Sequence, residues 1–158
     1  MKNEVYLAGT MSGKNNYGLS WRNKEKKWLE QRGEGAFSPP DRENELLVKY
    51  DIKPSLLRTR NNRLPPSIRR KLFSEIIKFD LDQLRYRTSY GIFYMTEYSP
   101  GTISELTWCF MYGIPTYVVT RMKLKAWPEA CATKIFRTFE QLHNFLKVTR
   151  GLKRISKQ

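Results

Sequence analysis

The sequence predicts an α/β fold: a single flavodoxin or Rossmann-like domain with a doubly wound, parallel sheet of five strands. The clearest signal is residues 90–119, where an apolar run, a turn containing Ser99-Pro100-Gly101, a helical stretch and a second apolar run follow one another. Other short apolar runs also alternate with amphipathic, helical stretches along the 158 residues. We expect the strand order 2-1-3-4-5, which places strands one and three side by side.

The length fits one domain that can bury one core. We assign residues 1–150 to this domain, with an irregular insertion or lid at 43–66, and treat 151–158 as a basic tail. The sequence shows no run of eighteen apolar residues and no signal peptide pattern. We therefore expect a soluble, cytoplasmic protein without membrane partners.

The first two strands and the first helix are short, and the residues that flank them indicate where they begin or end. Val5–Ala8 is an apolar run that predicts the central strand. Ser20 is expected to cap a helix over residues 21–32, whose tryptophans lie on one face. A weak second strand over residues 35–38 is expected to end at Pro39-Pro40.

The later elements follow the same alternation. Ser67 is expected to cap a long helix, and Thr138 with Gln141 forms a capping box for the last helix. Gly113 and Pro115 end the helix before the fourth strand. The other predicted elements are helices at 68–87 and 102–112 and strands at 90–95, 116–120 and 134–137.

The loop Gly9–Lys14 follows the first strand and could hold a phosphate. It is not a Walker loop, because its glycines are one residue too close together and Asn15 stands where Ser or Thr would bind magnesium. Backbone N–H groups and the Lys14 ammonium group can nevertheless contact an anion. The adjacency of strands one and three should place this loop beside the turn at 97–105.

The charge balance indicates anionic partners. The chain has 29 basic and 15 acidic residues, a net charge of +14, which suits a phosphorylated small molecule, a nucleic acid or an acidic protein. Nine basic and three acidic residues lie from Arg58 to Arg87. Cys109 and Cys131 lack metal-ligand spacing and the chain has a single histidine, so neither a zinc site nor a cofactor is indicated.

Several segments together resemble the nucleoside 2-deoxyribosyltransferase family, whose superfamily also includes nucleotide N-glycoside hydrolases. They are Asp80-Leu-x-x-Leu84, Gly91-Ile-Phe-Tyr, Ser99-Pro-Gly-Thr-Ile-Ser-Glu105-Leu and Gly113-Ile-Pro-Thr. The resemblance covers about half of the chain. It implies the fold predicted above and an enzyme that works on the base–sugar bond.

The resemblance assigns catalytic roles to three residues. Glu105 matches the glutamate that attacks C1′ of the sugar, Tyr6 matches a tyrosine that hydrogen-bonds this glutamate, and Asp80 matches an aspartate that faces the nucleobase. From the residues alone, Glu105 could equally complement the helix dipole. Tyr6 could be a core aromatic, and Asp80 a surface ion-pair partner.

The expected binding residues surround the same edge of the sheet. Arg22 could reach a phosphate or lie solvated on the surface, and Asp41 follows the second strand where family members shape the base pocket. The predicted substrate-binding residues are Gly9, Ser12, Gly13, Lys14, Arg22, Asp41, Ser99, Gly101 and Thr102.

Ser99 departs from the deoxyribosyltransferase pattern, which has an aspartate there, and is similar to the nucleotide hydrolase branch, where this segment holds the 5′-phosphate. A hydroxyl group at a helix N-terminus favours an anionic substrate. We therefore expect an N-glycosidase that cleaves (deoxy)nucleoside 5′-monophosphates. The alternatives are a nucleoside 2-deoxyribosyltransferase that exchanges bases, or a non-catalytic basic module that binds nucleic acid or an acidic protein. By analogy with the family, we expect a homo-oligomer, a dimer or larger.

Overall fold

The computed structural model describes residues 4–11, 18–53 and 64–155 and confirms the predicted fold class. Five parallel strands form one sheet in the order β2-β1-β3-β4-β5. The strands are β1 (Glu4–Gly9), β2 (Gly35–Phe37), β3 (Thr88–Tyr94), β4 (Thr116–Val119) and β5 (Lys134–Phe136). The helices are α1 (Leu19–Glu30), α2 (Pro39–Lys49), α3 (Pro66–Tyr86), α4 (Pro100–Met111), α5 (Ala126–Cys131) and α6 (Phe139–Ile155).

The central strand β1 is buried on both faces, and its side chains alternate between two cores. Tyr6 and Ala8 point to the side of α3 and α4, where they pack with residues such as Leu84 and Leu106. Val5 and Leu7 point to the other side, where Leu29 of α1 and Leu142 of α6 cover them. The sheet is therefore enclosed by helices on both faces, as a doubly wound fold requires.

The pairing of β1 with β3 positions the site. Tyr6 lies opposite Gly91 and Gly9 lies opposite Tyr94, so both strands end at the same edge. A Cβ atom on Gly9 would lie 2.7 Å from the carbonyl oxygen of Tyr94, which explains why glycine is needed there. The two segments that follow these strands consequently start side by side.

Helix α2 corrects the first part of the irregular insertion or lid expected at 43–66, of which residues 54–63 lie outside the described residues. Pro39-Pro40, predicted only to end the second strand, also begin a helix of 11 residues, because proline fits the first helical turn, where its missing N–H has no partner to lose. Leu46 and Leu47 of α2 pack against Leu72 and Ile76 of α3 in a third apolar cluster. Residues 43–49 are thus part of the folded body.

Several predicted helix ends are also wrong. The cap of α1 is Gly18, in a left-handed conformation, and not Ser20, which lies inside the helix. Pro65, not Ser67, precedes α3. The segment before the fifth strand contains the short helix α5, and α6 continues through Ile155 into the segment predicted to be a tail.

The capping box of α6 is confirmed at the Thr138 hydroxyl group, whereas the Gln141 side chain bonds the N–H of the residue before the cap. The Gln141 N–H donates to Thr138 Oγ1 over 3.2 Å, and the Arg137 N–H donates to Gln141 Oε1 over 2.8 Å. Cys109 and Cys131 are buried and unbridged. Across residues 4–11, 18–53 and 64–155, no helix is long and apolar enough to span a bilayer.

Candidate active site

A cleft of about 600 Å³ opens at the carboxyl-terminal edge of β1 and β3, between α2, α3 and the start of α4. One wall is apolar and comes mainly from α3, with Phe73, Ile77 and Leu81, and is completed by Trp108 of α4. The polar lining residues include Arg22, Glu43, Asp80, Ser99, Thr102 and Glu105. The cleft is thus apolar on one side and rich in carboxyl groups on the other.

Glu105 lies in the second turn of α4, and its partner is Tyr6 of the central strand. The Tyr6 hydroxyl donates a hydrogen bond of 2.7 Å to Glu105 Oε1. Tyr6 is fully buried and stacks on Phe37, with 5.4 Å between ring centroids. Burial, followed by the charges of Glu105 and Asp80, raises the pKa of Tyr6 well above its usual value, so the phenol remains a donor at any physiological pH.

Opposing effects set the pKa of the Glu105 carboxyl group close to neutral pH. Burial raises the pKa of Glu105 to about 7, while the hydrogen bond from Tyr6 and the charge of Arg22 act to lower it. A substantial fraction of Glu105 is therefore ionised at neutral pH, and its charged form is held by two specific groups.

Asp80 of α3 has a different environment. Its side chain is 8% exposed, and within the described residues its Oδ1 atom is buried without a hydrogen-bond partner. Burial raises the pKa of Asp80 to about 8, with further increases from the negative charges of Glu105 and Glu43. Asp80 is therefore mostly protonated at neutral pH, with an oxygen available to a ligand.

Glu43 is a lining residue that the sequence analysis missed. It belongs to α2 and is 2% exposed, and its charge acts on Asp80. The signal that could have found it is Pro39-Pro40, because a helix starting there places Glu43 one turn in, on the same side as Leu46 and Leu47.

The structure contradicts one of the two expectations for Arg22, the solvated surface group, and its contact with a phosphate stays a prediction. It is 1% exposed, and its guanidinium group donates to three carbonyl oxygens. The distances are 3.2 Å from Nε to Leu7 O, 2.9 Å from Nη1 to Gly18 O and 2.7 Å from Nη2 to Gly9 O. Arg22 thus ties the end of β1 to the start of α1 while lining the cleft.

The start of α4 supplies an anion-binding geometry to the cleft. Ser99 is the cap residue, with an extended backbone, and its side chain makes no capping hydrogen bond. Gly101 and Thr102 also line the cleft, and Thr102 is buried. Helix N-terminal N–H groups and a nearby hydroxyl group together suit a negatively charged ligand group.

Not every predicted site residue is in the cleft. Asp41 lies on α2, half exposed, where its carboxylate pairs with Lys26, and it does not line the cleft. Ser12, Gly13 and Lys14 lie outside the described residues and stay predictions. The cleft brings together Tyr6 through its bond to Glu105, and Gly9, Arg22, Asp80, Ser99, Gly101, Thr102 and Glu105.

His143 is packed between helices α1 and α6, away from the cleft. Its Nε2 lies 2.8 Å from Glu25 Oε2, and its ring stacks on Trp28 with 3.8 Å between centroids. These contacts belong to the face of the sheet covered by α1 and α6. Among the described residues, no three His, Cys, Asp or Glu side chains are grouped as metal ligands.

No protein-family model and no curated protein matches the chain. Among solved structures, it is similar to the 2-deoxyribosyltransferase from the psychrotolerant bacterium Bacillus psychrosaccharolyticus, with a TM-score of 0.59 and 16% sequence identity. The similarity covers 89% of this chain and 90% of the other. The resemblance found in the sequence is thus confirmed at the level of architecture: the chain has the fold of a 2-deoxyribosyltransferase.

Proposed function

We propose that the protein is an enzyme that cleaves the N-glycosidic bond of (deoxy)nucleoside 5′-monophosphates, with Glu105 as the nucleophile. The observation that carries the proposal is the 2.7 Å hydrogen bond from buried Tyr6 to Glu105 at a cleft that also contains Asp80. The similarity in fold to a 2-deoxyribosyltransferase supports the same class of chemistry.

In the first step, a Glu105 carboxylate oxygen attacks C1′ of the sugar. The C1′–N bond breaks with both electrons going to the base, and Asp80 donates its proton to the departing base. The raised pKa values suit this division, because Glu105 is partly ionised and Asp80 is mostly protonated near pH 7.5. Tyr6 holds the reacting carboxylate in place during the attack.

In the second step, water attacks C1′ and releases Glu105 as a carboxylate, while Asp80 recovers a proton from the water. The products are a free base and a sugar 5-phosphate. A second base that attacked instead of water would make the enzyme a transferase, and the apolar wall at Phe73, Ile77 and Leu81 could exclude water long enough for that. Base exchange is therefore the second candidate.

The monophosphate preference rests on the start of α4. Ser99, Gly101 and Thr102 line the cleft at the N-terminus of this helix, and the Ser99 side chain is not used as a cap. A 5′-phosphate there would accept hydrogen bonds from backbone N–H groups and a hydroxyl group. Ser99→Asp should place a carboxylate against that phosphate and raise KM for the monophosphate more than for the unphosphorylated nucleoside.

The test is incubation with a deoxynucleoside monophosphate, with and without a second base, followed by chromatography of the products. A free base alone indicates hydrolysis, and a new nucleotide indicates exchange. Glu105→Gln should lose about 10³-fold or more of either activity. Glu140→Gln is a matched control, because Glu140 is an exposed acid in the first turn of α6 and only complements a helix dipole.

A non-catalytic basic module is the alternative from another class. It is favoured by the exposed basic side chains along α3, namely Arg69, Arg70, Lys71, Lys78 and Arg85. In that case the protein would release no base, and it would bind polynucleotides with an affinity that falls steeply with salt and ignores Glu105→Gln.

A further inference from the structure

Arg22 is the most completely buried charged side chain described in this chain, and its position is unusual for an arginine. All three of the carbonyl groups that it contacts belong to the ends of β1 and the start of α1: Leu7, Gly9 and Gly18. Burying a guanidinium group costs free energy unless such contacts compensate it. The planar guanidinium fork suits such a clasp, and its charge matters if another charged group of the cleft faces it.

The local backbone is fitted to this side chain. Gly18 adopts φ +69°, and a Cβ atom there would lie 2.5 Å from Arg22 Nη1 and 2.9 Å from the carbonyl oxygen of Thr10. Glycine is therefore required twice over, by its backbone conformation and by the guanidinium group. The Trp21 ring also lies against the Arg22 guanidinium, 4.6 Å from its centroid, so the group has little freedom to move.

The groups around Glu105 make this charge significant. Tyr6 on β1, Asp80 on α3 and Glu43 on α2 are neutral or negative, and the thiol of Cys109 lies behind Tyr6. Arg22 is the positive group among the described lining residues of the cleft, and its charge acts on Glu105. Without it, the Glu105 carboxylate would face burial and negative neighbours, and within the described part of the chain the Tyr6 hydroxyl group would remain to hold it.

We propose that Arg22 is a positioning residue of the reaction, which fixes the end of β1 beneath the substrate and places a buried positive charge in the cleft that contains Glu105. This inference rests on the proposed function of the cleft. The charge would act in both steps, since Glu105 must be a carboxylate to attack C1′ and becomes a carboxylate again when it leaves. Arg22 thereby acts through Glu105 and not on the substrate itself.

Arg22→Met and Arg22→Lys separate the charge from the shape of the guanidinium fork. Methionine removes the charge, so the pKa of Glu105 should rise by about one unit or more, and the acid limb of the pH profile should move with it. Lysine keeps the charge but cannot bond three carbonyl oxygens in one plane, so that limb should stay while KM rises. The pKa of Glu105 is read directly by ¹³C NMR titration of the carboxyl group, with Glu105→Gln to assign the signal.

Gly18→Ala tests the same coupling without altering Arg22. Both Gly18 and Gly33 have positive φ values, +69° and +71°, but a Cβ atom on Gly33 has no atom within 4 Å. Gly33→Ala should therefore lose thermal stability from backbone strain alone, whereas Gly18→Ala should lose more, because its Cβ atom also meets the Thr10 carbonyl oxygen and the guanidinium group. Only Gly18→Ala should displace the guanidinium group and shift the Glu105 titration.

The outcomes decide between this role and a structural one. A folded Arg22→Met variant whose Glu105 titrates as in the unchanged protein overturns the proposal. If Arg22→Met does not fold, equal Glu105 titrations in Gly18→Ala and Gly33→Ala overturn it instead. The NMR titration needs no turnover, so a protein without N-glycosidase activity would refute the proposed function while the link between Arg22 and Glu105 is still measured.

Discussion

At the scale of single residues, the surroundings of two carboxyl groups raise their pKa values to different extents. Glu105 receives a hydrogen bond from Tyr6 and the charge of Arg22, both of which favour its ionised form. Asp80 receives neither and faces the negative charges of Glu105 and Glu43. A nucleophile must be ionised and a general acid must be protonated, so the environments match the roles proposed for them.

The first prediction concerns the pH dependence of turnover. We expect kcat/KM to rise with pH through about 7, as Glu105 loses its proton, and to fall through about 8, as Asp80 loses its own. Asp80→Asn should lower kcat by about 10²–10⁴-fold and abolish the alkaline limb. The measurement is initial rates of base release from pH 5 to pH 9.5.

Asp82→Asn is the matched control for this profile, because Asp82 is an exposed aspartate two residues further along α3. It should leave both limbs unchanged. An alkaline limb that persists in Asp80→Asn would exclude Asp80 as the general acid.

The second prediction concerns stability. The pKa of Asp80 is raised in the folded state, from 3.8 to about 8, so the folded protein holds a proton that the unfolded chain releases. The free energy of unfolding should therefore decrease as pH rises from about 4 to about 8. Asp80→Asn should remove part of this decrease. At pH 8, the free energy of unfolding of the variant should exceed that of the unchanged protein by about 1–3 kcal/mol.

Urea unfolding at pH 5 and pH 8 measures the effect. Asp82→Asn should show the pH dependence of the unchanged protein. If Asp80→Asn loses as much stability between pH 5 and pH 8 as the unchanged protein does, burial does not raise the pKa of the Asp80 carboxyl group.

The positions of the cleft residues were predictable from the sequence only where a motif contains them. Glu105 could be found because it follows a recognisable turn, and Asp80 because a family segment contains it. Arg22 was identified as a site residue, but its inward direction depends on a left-handed Gly18 that propensities do not reveal. Glu43 was missed because its helix was missed.

At the scale of elements, the strands and their order were predictable, and helix ends were less so. Strand β1 is apolar along its whole length, which indicates a central parallel strand. The start of α2 was not recognised because Pro39-Pro40 can end a strand and begin a helix, and only the packing of Leu46 and Leu47 on α3 decides between these possibilities. Helix caps depend on backbone conformation, which the sequence restricts only weakly.

The third prediction concerns how α6 is held to α1. His143 joins the two helices by its contact with Glu25, and burial raises the pKa of Glu25. His143→Ala should lower the free energy of unfolding by about 1–3 kcal/mol, because the buried Glu25 side chain loses that partner. Turnover should remain, since the pair lies on the face of the sheet away from α3 and α4.

A double-mutant cycle with Glu25→Gln, followed by urea unfolding, isolates the contact between the two side chains. Additive losses would mean that stacking of His143 on Trp28, not the bond to Glu25, holds the helix.

At the scale of the whole molecule, opposite charges are separated in space. The net charge is +14, yet the cleft contains Glu43, Asp80 and Glu105 with one described arginine. The basic side chains of α3 are on its exposed face, so their field would draw anions to the surface, while the carboxyl groups lie in the cleft where we propose the chemistry. The charge total alone could predict an anionic partner but could not distinguish a substrate from a polymer.

The last prediction concerns self-association. Tyr86, Phe110, Met111 and Tyr112 form an exposed apolar patch at the ends of α3 and α4, on the edge of the sheet opposite the cleft, with Arg85 packed between the two tyrosines. We propose that a second copy of the chain covers this patch in a homo-oligomer. Because copies with a charge of +14 repel one another, association should strengthen as salt screens them.

Met111→Glu should dissociate the assembly in light-scattering measurements, whereas Val148→Glu, at an equally exposed valine on α6, should not. A monomer at every salt concentration would mean that the patch serves another partner or none.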